Sequence, residues 1–258
     1  EAASRWDNIL FRRDEIGVFL FVVYLDGKEP VVPTDNLAHL LDQRLSQKLS
    51  IQAAKPSAKP SSTWRDDFDA GLLEPWEWIN ENPARWNVIE NPGYLRIYAS
   101  TLTDVHENIL LIPAGSGDFM ISTRVLFTPD TNFQFAGLII YQDENNFLQF
   151  GRAFCDRPKA CVGNGIYFDN LLKGSLRDGN FATAVAGLDK AYLRLERRGD
   201  AVRALFSANG IIWIEIGTHL IPSEFQVNGV GLIASQDFNT PDHDIPADFD
   251  FFEFAESE

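Results

Sequence analysis

The sequence predicts a mainly β protein: an antiparallel sandwich of two sheets, preceded by a small α+β segment. Three observations predict it. From Trp64 onward, short runs alternate apolar with polar residues, the period-2 pattern of strands that bury one face. Turn-forming residues separate these runs at intervals of roughly 8–12 residues, with almost no helical periodicity between them. The 258 residues include 20 Phe and 6 Trp but 1 Met, a mix that suits pleated surfaces better than helical bundles.

The first segment holds the run Ile16 to Leu25 (IGVFLFVVYL), then Asp26-Gly27, then Val31-Val32. Asp-Gly between two apolar runs is a hairpin signal, so Val18–Leu25 is expected to pair with the segment at Val31-Val32. Thr34 or Asp35 can cap a helix running to Leu49, because Leu37, Leu40, Leu41, Leu45 and Leu49 recur at helical spacing. Some fifty residues are too few to bury this much apolar surface alone. Residues 1–54 therefore read as an annex, or as an element for docking a protein partner or for self-association. Residues 55–63 (KPSAKPSST) lack any large apolar side chain and read as an extended linker, with the sandwich over residues 64–258.

Within the sandwich the expected strands are LRIYA (95–99), NILLI (108–112), FMISTRVLF (119–127), AGLIIYQ (136–142), NFLQFGRAF (146–154) and GIYF (165–168). AYLRLERRG (191–199), AVRALFSA (201–208), IIWIEIG (211–217), GVGLIAS (229–235) and DFDFFEF (248–254) follow. Pro92-Gly93, Asn145-Asn146, Gly199-Asp200 and Asn209-Gly210 mark turns. Asn209-Gly210 is expected to form a type I′ hairpin, which needs φ > 0 at both positions.

Charge limits the partners. Residues 1–63 hold 8 basic and 8 acidic side chains, whereas residues 64–258 hold 14 and 29, so the whole net charge of −15 lies in the sandwich. A surface this acidic argues against nucleic acid and against anionic membranes. The longest apolar run, 10 residues, is about half of what a spanning helix needs. Because it starts at Glu1, the chain is expected to be a processed product or a piece of a longer one.

DDFD (66–69), WEW (76–78), PARW (83–86) and GYLRI (93–97), in that order, resemble the opening of the concanavalin A-like domain that follows family 43 β-xylosidases, and related stand-alone domains of unknown function. AGLIIYQD (136–143), LRLERRGD (193–200), FSANGIIW (206–213), VGL (230–232) and FDFF (249–252) continue the resemblance over nearly all of residues 64–254. It implies a jelly-roll sandwich of concanavalin A-like type. The segment FCDRPKACVGNG (154–165) departs from that pattern. Cys155 and Cys161 have five residues between them, with Pro158 inside, and are read as a disulfide closing a small loop. Two thiols alone make half of a zinc site. A disulfide implies an oxidising, extracellular or cell-surface location.

Catalytic motifs are lacking. No E-x-D-x-E strand segment and no Gly-x-Ser-x-Gly elbow occurs, and the four histidines are scattered. The expected function is non-catalytic glycan binding, to a neutral polysaccharide or glycoprotein. An assembly subunit whose sandwich binds protein stands second, and a glycoside hydrolase or lyase third. Sugars stack on aromatic rings and bond to amides and carboxylates, which singles out Trp76, Tyr141, Asp143, Asn145 and Tyr167. Trp78, Trp86 and Trp213 are read as core residues instead. Asp66 and Asp67 near the first strand and Asp248 on the last are candidate ligands for one structural Ca2+, since concanavalin A-like domains commonly hold such an ion and calcium takes oxygen ligands.

Overall fold

A computed structural model describes residues 3–13, 16–28, 33–39, 41–42, 62–101, 105–157, 161–176, 180–185, 187–236 and 244–257. The chain divides into two compact units, Glu1–Lys59 and Pro60–Glu258.

In the first unit, β1 (Ser4–Arg13) and β2 (Ile16–Leu25) pair antiparallel over their whole length, from Ser4↔Leu25 to Arg13↔Ile16. Residues 34–39 and 41–42 are helical. Asp7 links the two elements, because its carboxylate accepts from Tyr24 Oη at 3.1 Å and from Thr34 Oγ1 at 2.8 Å. The partner of β2 is thus the segment before it. The expected one, Val31-Val32, lies outside the described residues, as do Leu40, Leu45 and Leu49 of the expected helix. Asp26-Gly27 still turns the chain, with Gly27 at φ 76° and Lys28 N donating to Leu25 O. SRWDNILFRR hides its strand character because polar residues fall on both of its faces.

The second unit begins with β3 (Ser62–Asp66), which starts inside the stretch read as linker. There follow β4 (Glu77–Ile79), β5 (Trp86–Asn87), β6 (Leu95–Thr101), β7 (Ile109–Ile112), β8 (Asp118–Leu126), β9 (Phe135–Asp143), β10 (Asn146–Cys155) and β11 (Gly163–Leu172). β12 (Ser175–Leu176), β13 (Phe181–Ala184), β14 (Lys190–Arg198), β15 (Ala201–Ser207), β16 (Ile214–Leu220), β17 (Gly229–Gln236) and β18 (Ile245–Ser257) complete it. One sheet runs β4-β7-β17-β9-β10-β11, with β12 and β13 beyond β11. The other runs β6-β18-β8-β14-β15-β16, with β3 beside the far end of β18 and β5 beside β6. The first and last strands of the sandwich are neighbours, Asp66 opposite Phe252. The sheets join where Ser100 and Thr101 of β6 run parallel to Ser235 and Gln236; the other ladders between these strands are antiparallel. This is the predicted two-sheet sandwich.

Its core lies between the sheets. Leu138, Phe150, Phe168 and Leu232 face Ile97, Ile121, Leu193, Phe249 and Phe252, all fully buried. Trp78 and Trp86 stack with ring centroids 4.8 Å apart and pack on the core edge, half-buried. Trp213 instead lies under the Arg194 guanidinium, 4.1 Å from ring centroid to Cζ.

One expected turn forms and another opens into a loop. Gly199-Asp200 joins β14 to β15 with φ > 0 at Gly199 alone (58°), the II′ arrangement. The β15–β16 connection is longer than a type I′ turn: residues 208–213 form a loop in which Asn209 Oδ1 accepts from Ile211 N and Ile212 N. Asn209 competes for those amides with its side chain, and so opens the tight turn it was expected to make. Gly210 alone has φ > 0 there (76°), and a Cβ on it would come within 3.0 Å of the Tyr192 ring. Gly210→Val is therefore expected to cost about 1–3 kcal/mol in chemical denaturation; a variant with the parent midpoint would show that the loop relaxes freely.

Candidate functional site

The site begins with the β9–β10 turn. The Asp143 carboxylate accepts from Asn145 N at 2.8 Å, Asn146 Nδ2 at 2.8 Å and Gln142 Nε2 at 3.0 Å. Burial opposes its ionisation, but these bonds outweigh that and hold its pKa below the usual value. The turn sets the register Tyr141↔Phe147, Ile139↔Gln149 and Gly137↔Gly151. The next hairpin sets Phe147↔Leu171, Gln149↔Asp169 and Gly151↔Tyr167. Since Leu138, Ile140, Leu148, Phe150, Ile166 and Phe168 point into the core, the residues between them share the outer face of this sheet.

That outer face is apolar too. Ile109, Leu111, Phe135, Ile139, Tyr141, Phe147, Tyr167 and Ile233 form a second buried cluster, separate from the core. Bare backbone lies at its centre. A Cβ on Gly137 would stand 2.2 Å from Phe150 O, one on Gly151 2.2 Å from Ala136 O, and one on Gly231 1.8 Å from Leu110 O. The strands pass too close for any side chain at these three positions.

Both ends of the face are bounded. At one end a Cys155–Cys161 disulfide, Cα–Cα 5.3 Å, closes the predicted loop. The Tyr167 hydroxyl holds that loop, donating to Gly163 O at 2.7 Å and accepting from Val162 N at 3.1 Å. Phe133 packs beside it with the Arg157 guanidinium 4.3 Å above its ring. At the other end the His106 ring meets Phe147 edge-on at 5.7 Å, and Asn80 Nδ2 donates to both His106 O and Glu144 Oε1. Burial lowers the His106 pKa and raises that of Glu144.

Between these ends lies one polar pair. Gln149 Nε2 donates to Asp169 Oδ2 at 3.3 Å, and both side chains are half-buried among apolar neighbours. Burial pushes the Asp169 carboxyl up to about 6, against the Gln149 bond that favours its ionised form. Tyr141, pushed up to about 12 by burial and by the nearby Glu144 and Asp143, keeps a neutral hydroxyl at this face.

Of the residues singled out for a ligand, the structure gathers Tyr141, Asp143 and Asn145 at one turn and places Tyr167 on the same face. Trp76 is elsewhere: it packs against Phe252 at 4.9 Å and Trp64 at 5.3 Å, and its Nε1 donates to Asp66. Asp143 and the Tyr167 hydroxyl are engaged in holding loops. Gln149 and Asp169, absent from the candidate ligand set, occupy the centre of the face. A sequence signal for them existed, because each is the lone charged or amide side chain at the alternate positions that form the outer face of its strand, and the hairpin register sets them opposite.

The three candidate calcium ligands do not meet. Asp66 is buried and accepts from Phe68 N, Leu73 N and Trp76 Nε1, each at 2.9 Å. Asp67 is paired with Arg65. Asp248 takes a forked contact from Arg96 at 2.6 and 2.8 Å, with Asn91 Nδ2 at 3.0 Å. Among the described residues no three acidic, His or Cys side chains converge on a common point.

The family model described as the beta xylosidase C-terminal concanavalin A-like domain matches residues 65–255. A xylan 1,3-beta-xylosidase from a Vibrio species is 25% identical over 215 residues, covering 74% of this chain and 37% of that protein. The crystal structure of a GH43 protein from Bacillus licheniformis superposes with a TM-score of 0.64 at 19% identity, over 74% of this chain and 39% of the other. The winged bean acidic lectin, solved with methyl-α-D-galactose, superposes with a TM-score of 0.53 at 8% identity, over 76% of this chain and 100% of the lectin. The chain thus spans well under half the length of the two glycosidases.

Proposed function

The chain belongs to the family of beta xylosidase C-terminal concanavalin A-like domains, and on that premise we propose that its sandwich is a non-catalytic glycan-binding module whose sugar site is the outer face around Gln149 and Asp169. The observation that carries this reading is the Gln149–Asp169 pair set among Ile139, Tyr141, Phe147 and Tyr167. An amide beside a carboxyl matches the paired hydroxyls of a sugar ring. The matched region corresponds to the C-terminal part of the glycosidases. The partner of Asp169 is an amide, whereas retaining hydrolysis uses two carboxyls about 5 Å apart. The net charge of −15 favours neutral over acidic polysaccharides. The Cys155–Cys161 disulfide fits an extracellular or cell-surface setting. Among the described residues no helix is long and apolar enough to cross a membrane.

Affinity electrophoresis through gels containing xylan, glucan, mannan or galactan tests the reading. Retention of the parent chain on at least one neutral polysaccharide is expected, with a Kd between micromolar and millimolar. Gln149→Ala should weaken it about tenfold, the worth of one lost hydrogen bond at about 1.4 kcal/mol. Tyr141→Phe, which removes only the hydroxyl, should weaken it less. Absence of retention on all four polymers would defeat the proposal.

A further inference from the structure

The β1–β2 hairpin has two apolar faces and covers one. On the first, alternate positions from Asp7 to Phe11 and from Val18 to Tyr24 are half-buried, and the helical segment is tied there through Thr34 and Asp7. On the second, Trp6, Leu10, Phe19, Phe21, Val23 and Leu25 are between 51 and 76% exposed. With aromatic side chains of ~150–250 Å2, those fractions leave on the order of 700 Å2 of apolar surface bare. Monomeric proteins rarely expose a patch beyond about 300–600 Å2, and a lone two-stranded sheet is marginally stable until something covers it.

We infer that this face is a homodimer interface, covered by the same face of a second copy of the chain. The area suits that occupant: two such faces bury roughly 1,400 Å2, within the ~1,200–2,000 Å2 of specific, stable complexes. Charge suits it as well, because residues 1–63 hold 8 basic and 8 acidic side chains, and Arg12 alone is charged on the bare face. Asn8, opposite Phe21 in the register, is a short side chain between Trp6 and Leu10. In a twofold pairing the Phe21 ring of a second copy would lie over this small residue. A twofold axis through the face repeats that contact, as an isologous interface requires. The aromatic ridge is already formed, with Phe21 6.0 Å from Trp6 and 6.3 Å from Phe19 between ring centroids. An anionic membrane surface is disfavoured as occupant by the net charge of −15.

Light scattering coupled to gel filtration of the full chain at about 1 and 100 µM tests this. At the higher concentration the mass should be about twice 29.0 kDa. A Phe19→Asp/Phe21→Asp double variant should return to the single mass, while Ile211→Asp, equally exposed at 68% but on the sandwich, should leave the dimer intact. Should the double variant fail to fold, hydrogen exchange on the unmodified chain decides: amide protection in β1 and β2 should rise several-fold between the two concentrations. A single mass at 100 µM, a dimer that survives the double substitution or dissolves with Ile211→Asp, or protection independent of concentration would each overturn the inference. The last would mean that the face stays bare or is covered from within the chain.

Discussion

Asp66→Ala is expected to destabilise the sandwich by about 3–5 kcal/mol. The carboxylate accepts from Phe68 N, Leu73 N and Trp76 Nε1, each at 2.9 Å, and is 2% exposed. Removing it leaves three donors without a partner, each costing ~1–3 kcal/mol when cut off from water. It also releases Phe68, which sits at φ 59° with its ring in the core, a conformation that a non-glycine residue keeps only when its surroundings enforce it. For a unit of this size, a loss of that order lowers the melting temperature by about 10–15 °C. Calorimetry of the variant reads the effect directly. A drop of under 2 °C would refute the assignment of Asp66 as the anchor of this corner. A comparable drop produced in the parent chain by a chelator would instead point to an ion shared by these carboxylates.

Asp169→Asn is expected to do the opposite. The Asp169 pKa is about 6 in the folded chain, against ~3.9 for an unfolded aspartate. The folded state therefore binds the proton more tightly. Stability from this group is full below about pH 4, declines as pH rises through 6, and stays lost above it. The shift of about two units corresponds to ~3 kcal/mol, reduced to about 2 kcal/mol because the side chain is half-buried rather than enclosed. Asparagine removes the charge and keeps an acceptor for Gln149, so the variant should gain about 2 kcal/mol at pH 8 and almost nothing at pH 4. Denaturant midpoints at pH 4, 6 and 8 test both magnitude and sign. A gain independent of pH, or a loss at pH 8, would show that Asp169 is not ionising against burial. A destabilising carboxyl half-buried on an apolar sheet face is a feature that the proposed binding site would retain.

The position of the strands was legible in the sequence because period-2 alternation is a local property. NFLQFGRAF, AYLRLERRG and GVGLIAS each coincide with a strand to within a residue or two at either end. The resemblance read from DDFD through FDFF pointed to the same sandwich, and the six-residue spacing of Cys155 and Cys161 was short enough to anticipate their bond. Strand alternation also placed Tyr141 and Tyr167 on sheet faces, without saying which face.

Other features depended on groups distant in the chain. AGLIIYQ is buried at nearly every position, so its period-2 signal is erased, and only the register with β10 and β17 shows that its outer face is a second apolar layer. Asp66, Asp67 and Asp248 read alike as free carboxylates. One is saturated by its own corner, one is paired with Arg65 two residues away, and one is neutralised by Arg96, 152 residues away. Gln149 and Asp169, 20 residues apart, become partners only when a hairpin sets them opposite on one face. The sequence by itself determined most of the sandwich strands and the disulfide, because backbone propensity and short loop closure act over a few residues. Which carboxylates are spent on structure was decided by the tertiary structure, because hydrogen bonding and desolvation depend on neighbours that the fold alone brings together.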